Sequence, residues 1–334
     1  MNASSTDHLA RSRRNQFTAV RLNREVELRD DAQWVTRTLA NPDTRLVPLW
    51  RSRSLLERID DGQIAIYLSP GQLAEPDRIQ PPTLLGNDGV REYFAVSVTD
   101  SQKDSILEQF PRARFADLRR ASIYMAAKHA GILAYAKAMH YWQHRHAFCG
   151  VCGNPNLLRS AGHRMVCSNE ECSRESFPRI DPAIIVLVTN KDACLLGRNA
   201  KWPPKQFSTL AGFVEPGESL EDAVVREVFE EVQVQLQDIR YVSSQPWPFP
   251  ASAMCGFYAE AIDRSFGTSD EVEEARWFTV NSLTQAVLKD EIRLSPPVSI
   301  AFRLLADWFR NNGGGNLEEL VRRQRAMNVA APTC

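Results

Sequence analysis

Four cysteines in the stretches FCGVC and VCSNEEC constrain this chain more than any other feature. Cys149 and Cys152 form a C-x2-C pair, Cys167 and Cys172 a C-x4-C pair, and 14 residues separate the two. Each pair closes a tight turn that aims two thiolates at one ion. Four sulfurs complete a closed tetrahedral zinc site with no position left for chemistry. So short a segment has too little apolar surface to fold without metal, so the expected role is a structural Zn2+ staple. The surroundings of the C-x2-C pair do not resemble a βαβ redox unit, which counts against thiol–disulfide exchange. With four of seven cysteines clustered, the chain reads as a metal protein of a reducing, cytoplasmic compartment. His163, inside the ribbon, reads as a surface histidine, Cys194 and Cys255 as ordinary buried thiols, and Cys334 as a tail residue.

The rest of the chain divides around this cluster. At 334 residues, 43% hydrophobic and 24% charged, it reads as soluble, globular and more than one domain long. A formal net charge of −1 offers no global basic field for nucleic acid or a membrane surface. No apolar run approaches the roughly 20 residues of a membrane-spanning helix. The start, MNASSTDHLARSRRNQF, lacks the apolar region of a secretory signal, and residues 1–15 read as a disordered tail. Short apolar runs (RLVPLW, QIAIYLS, YFAVSV) between Gly, Pro and Asp turns predict an N-terminal α+β domain over 16–117. The Ala-rich, proline-free stretch 118–146 predicts a helical connector. The cysteine ribbon occupies 147–177, and an α/β domain follows over 178–312, opening with the strands AIIVLV and ACLLGR around a TNKD turn. Val298, Ala301, Phe302, Leu305, Trp308 and Phe309 recur at helical spacing and predict a core-facing helix ended by the glycines at 313–315. Residues 313–334 read as a C-terminal tail, and no internal repeat is visible.

Within the α/β domain, the stretch GFVEPGESLEDAVVREVFEEV, Gly212 to Val232, poses a problem of charge. Ser219, with Asp222 three residues on, forms a helix N-cap, and Leu220, Val224 and Val228 trace an apolar stripe. Glu227, Glu230 and Glu231 then share one side of the helix, where like charges cost roughly 0.2–0.5 kcal/mol per pair. A solvated acidic face is the common cause of such a cluster. Here the carboxylates abut the apolar stripe, follow a Gly-rich loop and have Arg226 beside them. That combination favours a divalent-cation site, Mg2+ or Mn2+, which binds phosphate oxygens in turn. Thirteen residues beyond Glu231, the stretch SQPWPFPAS sets Trp247 and Phe249 among three prolines. Such a stiff loop can offer ring faces to a planar base at roughly 1–3 kcal/mol each, the other reading being a core plug.

The series Gly212-x5-Glu218-x7-Arg226-Glu227-Val228-Phe229-Glu230-Glu231 resembles the Nudix box, G-x5-E-x7-R-E-U-x-E-E-x-G-U (U, bulky aliphatic), at every fixed position but one. Gln233 stands where the box has Gly, and holding Gln at positive φ there costs about 1 kcal/mol or less. SQPWPFPAS and the cysteine ribbon are similar to the NADH pyrophosphatase subfamily, and LLGNDGVREYFAVSV and HRHAFCGVCG look like its N-terminal domain and linker. The resemblance implies a Nudix α/β/α sandwich with a mixed sheet. It also implies a homodimer that hydrolyses NAD(H) to NMN(H) and AMP with a divalent metal and removes NAD caps from RNA. By resemblance, Glu227, Glu230, Glu231, Glu271 and the Ala211 carbonyl are the Mg2+ or Mn2+ ligands, with Glu274 competing with Glu271. Glu227, Glu230, Glu231 and Arg226 form the catalytic set; Glu231 is the candidate base and Glu218 supports the loop. Gln245, Pro246, Trp247, Pro248, Phe249, Pro250, Ala251 and Ser252 are implied to line the substrate. Phe177, Phe213, Ala301 and Arg119 fall at further substrate-side positions, with Arg120 adjacent to the last. Phe177 replaces a frequent Tyr of the family, keeping the ring and losing a phenolic hydrogen bond. Two alternatives stand: a Nudix hydrolase of ADP-ribose or dinucleoside polyphosphates, and a non-catalytic ribbon-bearing nucleic-acid module. The loop argues against the first, and the complete carboxylate set against the second.

Overall fold

A computed structural model describes residues 7–18, 20–60, 62–73 and 80–330. The chain folds as two compact units, one of residues 16–180 and 246–252, the other of residues 1–15, 181–245 and 253–334. The first helix, α1 (His8–Arg14), belongs to the second unit.

The N-terminal unit contains α2 (Ala32–Ala40) and the strands β1 (Arg45–Trp50), β2 (Arg53–Ile59), β3 (Gly62–Ala65), β4 (Thr83–Asn87) and β5 (Glu92–Ser97). These are followed by α3 (Asp100–Gln109), β6 (Ala113–Ala116), α4 (Leu118–Ala121) and α5 (Ala127–Arg145). The strands form one mixed sheet in the order β3-β2-β1-β5-β4, with β6 also on β2 and β1 parallel to β5. The stretch expected as a connector is instead the element that closes this core. Helix α5 is apolar on most of its sides, and such a helix must be buried. Its Ala130, Ile132, Leu133 and Ala136 pack with Val47, Leu49, Leu56 and Leu85 of the sheet. The same stretch is not one helix, because Met125 takes an extended backbone between the turn at Ser122–Tyr124 and α5. The ribbon adds a separate sheet of β7 (Asn156–Arg159), β8 (Arg164–Cys167) and β9 (Glu175–Ser176). His163 is not the surface residue expected: it is 9% exposed, with Nε2 2.7 Å from the Leu84 carbonyl.

The second unit is built on β10 (Asp181–Asn190), β11 (Ala193–Asn199), β12 (Gln206–Phe207), β13 (Leu210–Phe213), α6 (Leu220–Val232), β14 (Leu236–Trp247), β15 (Ser252–Ala261) and β16 (Val272–Thr279). Helices α7 (Val280–Leu288), α8 (Ile300–Asn311) and α9 (Leu317–Ala330) complete it. The sheet order is β14-β15-β10-β11-β16, with β13 on the free part of β10. Strand β10 explains why AIIVLV is continuously apolar. Ile184, Val186 and Val188 pack with Val224 and Val228 of α6, while Ile185 and Leu187 pack with Phe302 and Leu305 of α8. A central strand covered on both faces has no polar side.

Three differences from the sequence reading concern organisation. Residues 8–14, expected as disordered, form α1, and Arg14 pairs with Asp307 at 2.8 Å. The C-terminal tail contains α9, whose Leu317 is 1% exposed and whose Gln324 donates to Asp290 at 2.6 Å. Cys334 lies outside the described residues. Lastly, the N-terminal order β4-β5-β1-β2-β6 is repeated as β14-β15-β10-β11-β16, an internal repeat that the sequence conceals. Between β3 and β4, the place corresponding to α6, the N-terminal unit has a 3-10 turn (Pro70–Gln72) among its described residues, so the acidic signature has no counterpart to betray the repeat.

Candidate active site and metal centre

The acidic stretch folds as its residues require. Ser219 caps α6 through a reciprocal capping box with Asp222, and Val224, Val228 and Val232 enter the core. Gln233 ends the helix in the left-handed region (φ 58°, ψ 23°), its N–H donating to the Phe229 carbonyl at 2.8 Å. The helix thus keeps the terminus for which glycine is usual, at the local cost expected for a side chain there.

Arg226 is the organiser of the loop and helix. Its Nε and Nη2 donate to the two carboxylate oxygens of Glu218 at 2.5 and 2.9 Å, and Nη2 also donates to the Phe213 carbonyl at 2.9 Å. Nη1 lies 3.0 Å from Glu227 and 3.0 Å from Glu230. Glu218 in turn accepts from the Glu215 N–H at 2.9 Å, which closes the Glu215-Pro216-Gly217 loop on itself. The Arg226 guanidinium holds the Glu218 carboxyl down at about 2.

Glu231 has the opposite environment. Burial first, then the charges of Glu227 and Glu271, push its carboxyl up to about 8, against the pull of the Ala211 N–H. Its Oε2 is buried without a hydrogen-bond partner. Glu227 is raised as well, chiefly by burial, with Arg226 opposing and Glu230 and Glu271 adding to the rise. Gly212 of β13 makes room for this group: a Cβ there would overlap the Glu227 carboxyl outright. Glu231 therefore feels the negative charge of both Glu227 and Glu271, and the cation beside this group, Arg226, pairs with Glu227. Such a donor set of hard oxygens fits a divalent cation. Glu230 is the outermost of the helix set, more than half exposed beside Arg226. Of the two late candidates, Glu271 acts on Glu227 and Glu231, whereas Glu274 is engaged by Arg276 at 2.5 Å.

The predicted substrate residues are not all presented alike. Phe213 and Phe177 are exposed, each within its own unit. Gln245 is buried, its carboxamide donating to the Val298 carbonyl (2.7 Å) and accepting from the Ile300 N–H (2.8 Å) at the start of α8. Ala301 is buried on α8. Pro246 to Ser252, including Pro248, Pro250 and Ala251, belong to the N-terminal unit. There Trp247 and Phe249 pack edge-on at 5.1 Å, with Phe17 edge-on to both at 6.0 and 5.6 Å. The Arg119 guanidinium lies 5.4 Å from the Trp247 ring centre, and Lys137 Nζ lies 5.8 Å from that of Phe249. Phe17 and Lys137 were missed in the sequence because no local pattern links them to a loop some 230 and 110 residues later.

The four cysteines meet as their spacing requires. Their sulfurs all lie within 4.8 Å of one another, the one group among the described residues to bring three or more such ligands together. Backbone and side-chain N–H groups of Asn154 hold the Cys152 thiol down at about 6, and the Val151 N–H donates to Cys149 at 3.4 Å. These donors favour thiolates, the form that binds zinc, at Cys149 and Cys152, whereas burial pushes the Cys167 thiol up to about 12.

Residues 179–297 match the NUDIX domain family, and residues 43–142 match the NADH pyrophosphatase-like rudimentary NUDIX domain. The rudimentary match falls on the unit whose strand order repeats that of the other. The chain is 31% identical to the NAD-capped RNA hydrolase NUDT12 of Macaca fascicularis, over 89% of this chain and 74% of that one. It is 35% identical to the NAD-capped RNA hydrolase NUDT12 of Homo sapiens over 67% of this chain and 52% of that protein, about half the relative's length. Identity to the NAD-capped RNA hydrolase NudC of Stutzerimonas stutzeri is 42%, over 62% of this chain and 74% of that one. Among the described residues no helix is long and apolar enough to cross a membrane.

Proposed function

Since this chain belongs to the Nudix hydrolases with an NADH pyrophosphatase-like N-terminal domain, we propose that it hydrolyses the pyrophosphate bond of NAD(H) to NMN(H) and AMP and removes NAD caps from RNA 5′ ends. The observation that carries this reading is the buried Oε2 of Glu231, left without a hydrogen-bond partner one helical turn from Glu227, whose carboxyl fills the space that Gly212 leaves. Nudix hydrolases require a divalent metal, and the carboxylates of Glu227, Glu231 and Glu271 would hold it as Mg2+ or Mn2+, with Glu230 at the margin and the Ala211 carbonyl as a further oxygen. The bound ion would polarise the pyrophosphate, acidify the attacking water and stabilise the charge that develops.

The chain's own residues supply positioning and proton transfer. Arg226 fixes the loop through Glu218 and steadies Glu227 and Glu230. Glu231 is taken as the group that receives the proton from water, a role supported by its Oε2 being buried and without a partner. Trp247 and Phe249, framed by prolines, are the rings on which a planar group of the dinucleotide would stack. The relatives' names and this loop together favour NAD(H) over other nucleoside diphosphate derivatives. On the same family grounds, the working form is a cytoplasmic homodimer with Zn2+ in the ribbon.

The test is a product analysis with Mg2+ or Mn2+, offering NADH, ADP-ribose and a short NAD-capped RNA side by side. AMP plus NMNH from NADH, absent with Glu231→Gln, is the expected result. Preferential cleavage of ADP-ribose, or no cleavage of any, overturns the reading. Trp247→Ala should raise KM for NADH more than for ADP-ribose, and equal effects would mean that the loop is structural.

A further inference from the structure

The two loop aromatics do not stand alone, and what holds them comes from the far end of the sequence. Phe17 is 1% exposed and packs edge-on against both Trp247 and Phe249, so three rings form a closed triangle with sides of 6.0, 5.6 and 5.1 Å. Edge-to-face pairs at these separations have a defined orientation as well as an attraction. The Phe17 backbone is left-handed (φ 74°), a conformation that bulky residues adopt at a cost. A side chain held at that cost, and buried entirely, is fixed by its surroundings. Next to it, Gln16 donates to the Ser122 and Met125 carbonyls at 2.9 and 3.1 Å, which ties the turn down. Arg119 and Lys137 approach Trp247 and Phe249 respectively, but both are long, flexible cations at more than 5 Å from the ring centres. Phe17 is the rigid member of the set.

We propose that Phe17 is a positioning residue for the dinucleotide: it sets the angle at which Trp247 and Phe249 are presented and thereby the KM for substrates that stack on them. This rests on the reading of the loop as the substrate platform given above. Phe17 itself, buried in the fold, touches no reacting atom. Its effect is on how well a planar ring is received, so it belongs in binding and not in the chemical step.

The experiment compares Phe17→Leu and Phe17→Tyr with wild type, measuring kcat and KM for NADH and the melting temperature of each variant. Leu keeps a buried apolar side chain and deletes the ring edges; Tyr keeps the ring. Phe17→Leu is expected to raise KM for NADH three- to tenfold with kcat within about twofold, and Phe17→Tyr to restore KM to within about twofold of wild type. A lowered melting temperature with unchanged KM in Phe17→Leu would show a purely structural residue and overturn the proposal. So would a KM raised equally in both variants, since ring geometry would then be irrelevant. Inactivity of the wild-type protein towards NADH would refute the proposed function itself and is read from a separate lane.

Discussion

Gly212→Ala separates the geometry of the acidic site from the stability of the fold. Gly212 lies on β13 opposite Ile184 of β10, in ordinary extended backbone, so alanine meets no conformational obstacle. Its Cβ would, however, occupy the space of the Glu227 carboxyl group. The obstructed atoms are the far end of a flexible side chain, so relief comes from Glu227 swinging away and not from a shift of the sheet. Reaching normal contact requires a displacement of about 1 Å or more, and misplacements of that size cost about 100-fold in rate. The fold should lose less than about 1 kcal/mol, a melting shift of about 2–4 °C at most. The assay is AMP release from NADH at saturating divalent metal, with a thermal melt of the same preparation. Gly217→Ala is the control: Gly217 has φ +93° but open space around it, so alanine strains the loop without touching Glu227. Its activity should fall far less than that of Gly212→Ala at a similar or larger loss of stability. Gly212→Ala retaining activity within threefold of wild type would refute the placement of Glu227 at the reaction centre. A loss that simply follows the melting temperature in both variants would refute it equally.

Glu231→Gln should lower kcat at least 100-fold while leaving the melting temperature equal or higher, because it removes a buried carboxylate that burial and its neighbours already push towards the neutral form; a destabilised variant would contradict this. His140, buried against Ser97 and beside His144, is held down at about 4 by burial first and by His144 and Lys137 after it. The unfolded chain takes up this proton below about 6.5 and the folded one only near 4, so stability is present above 6.5 and lost as pH falls through that window. Urea unfolding should show about 2 kcal/mol less loss between pH 7 and pH 5 in His140→Gln than in wild type, and an unchanged pH dependence would sink the assignment. Zinc should be found at one ion per chain, and a strong chelator should lower the melting temperature of the wild-type protein. Absence of zinc by elemental analysis, or a chelator-insensitive melt, would contradict a four-thiolate structural site.

What the sequence determined by itself was whatever depends on short-range spacing. The C-x2-C and C-x4-C pairs had to bring four sulfurs together, because two tight turns leave their thiols little else to do. Ser219 and Asp222 had to cap a helix that aligns Glu227, Glu230 and Glu231, whereas only the structure shows that Gln233 takes the left-handed turn that ends it. The tertiary structure decided everything that depends on which surfaces meet. Whether the 118–146 helices link or fill a core could not be read from an Ala-rich composition, since small residues suit either; only the sheet beneath α5 settles it. His163 was misjudged because a histidine's burial depends on an acceptor, the Leu84 carbonyl, that lies 79 residues away. The repeat of one strand order in two units was not visible as an internal repeat in the sequence, since hydrogen-bonded sheet order follows from patterning and connection, which many sequences satisfy. The sequence likewise displayed Trp247 and Phe249 but not Phe17. A ring triangle closed across 230 residues is a product of long-range packing, and no local period encodes it.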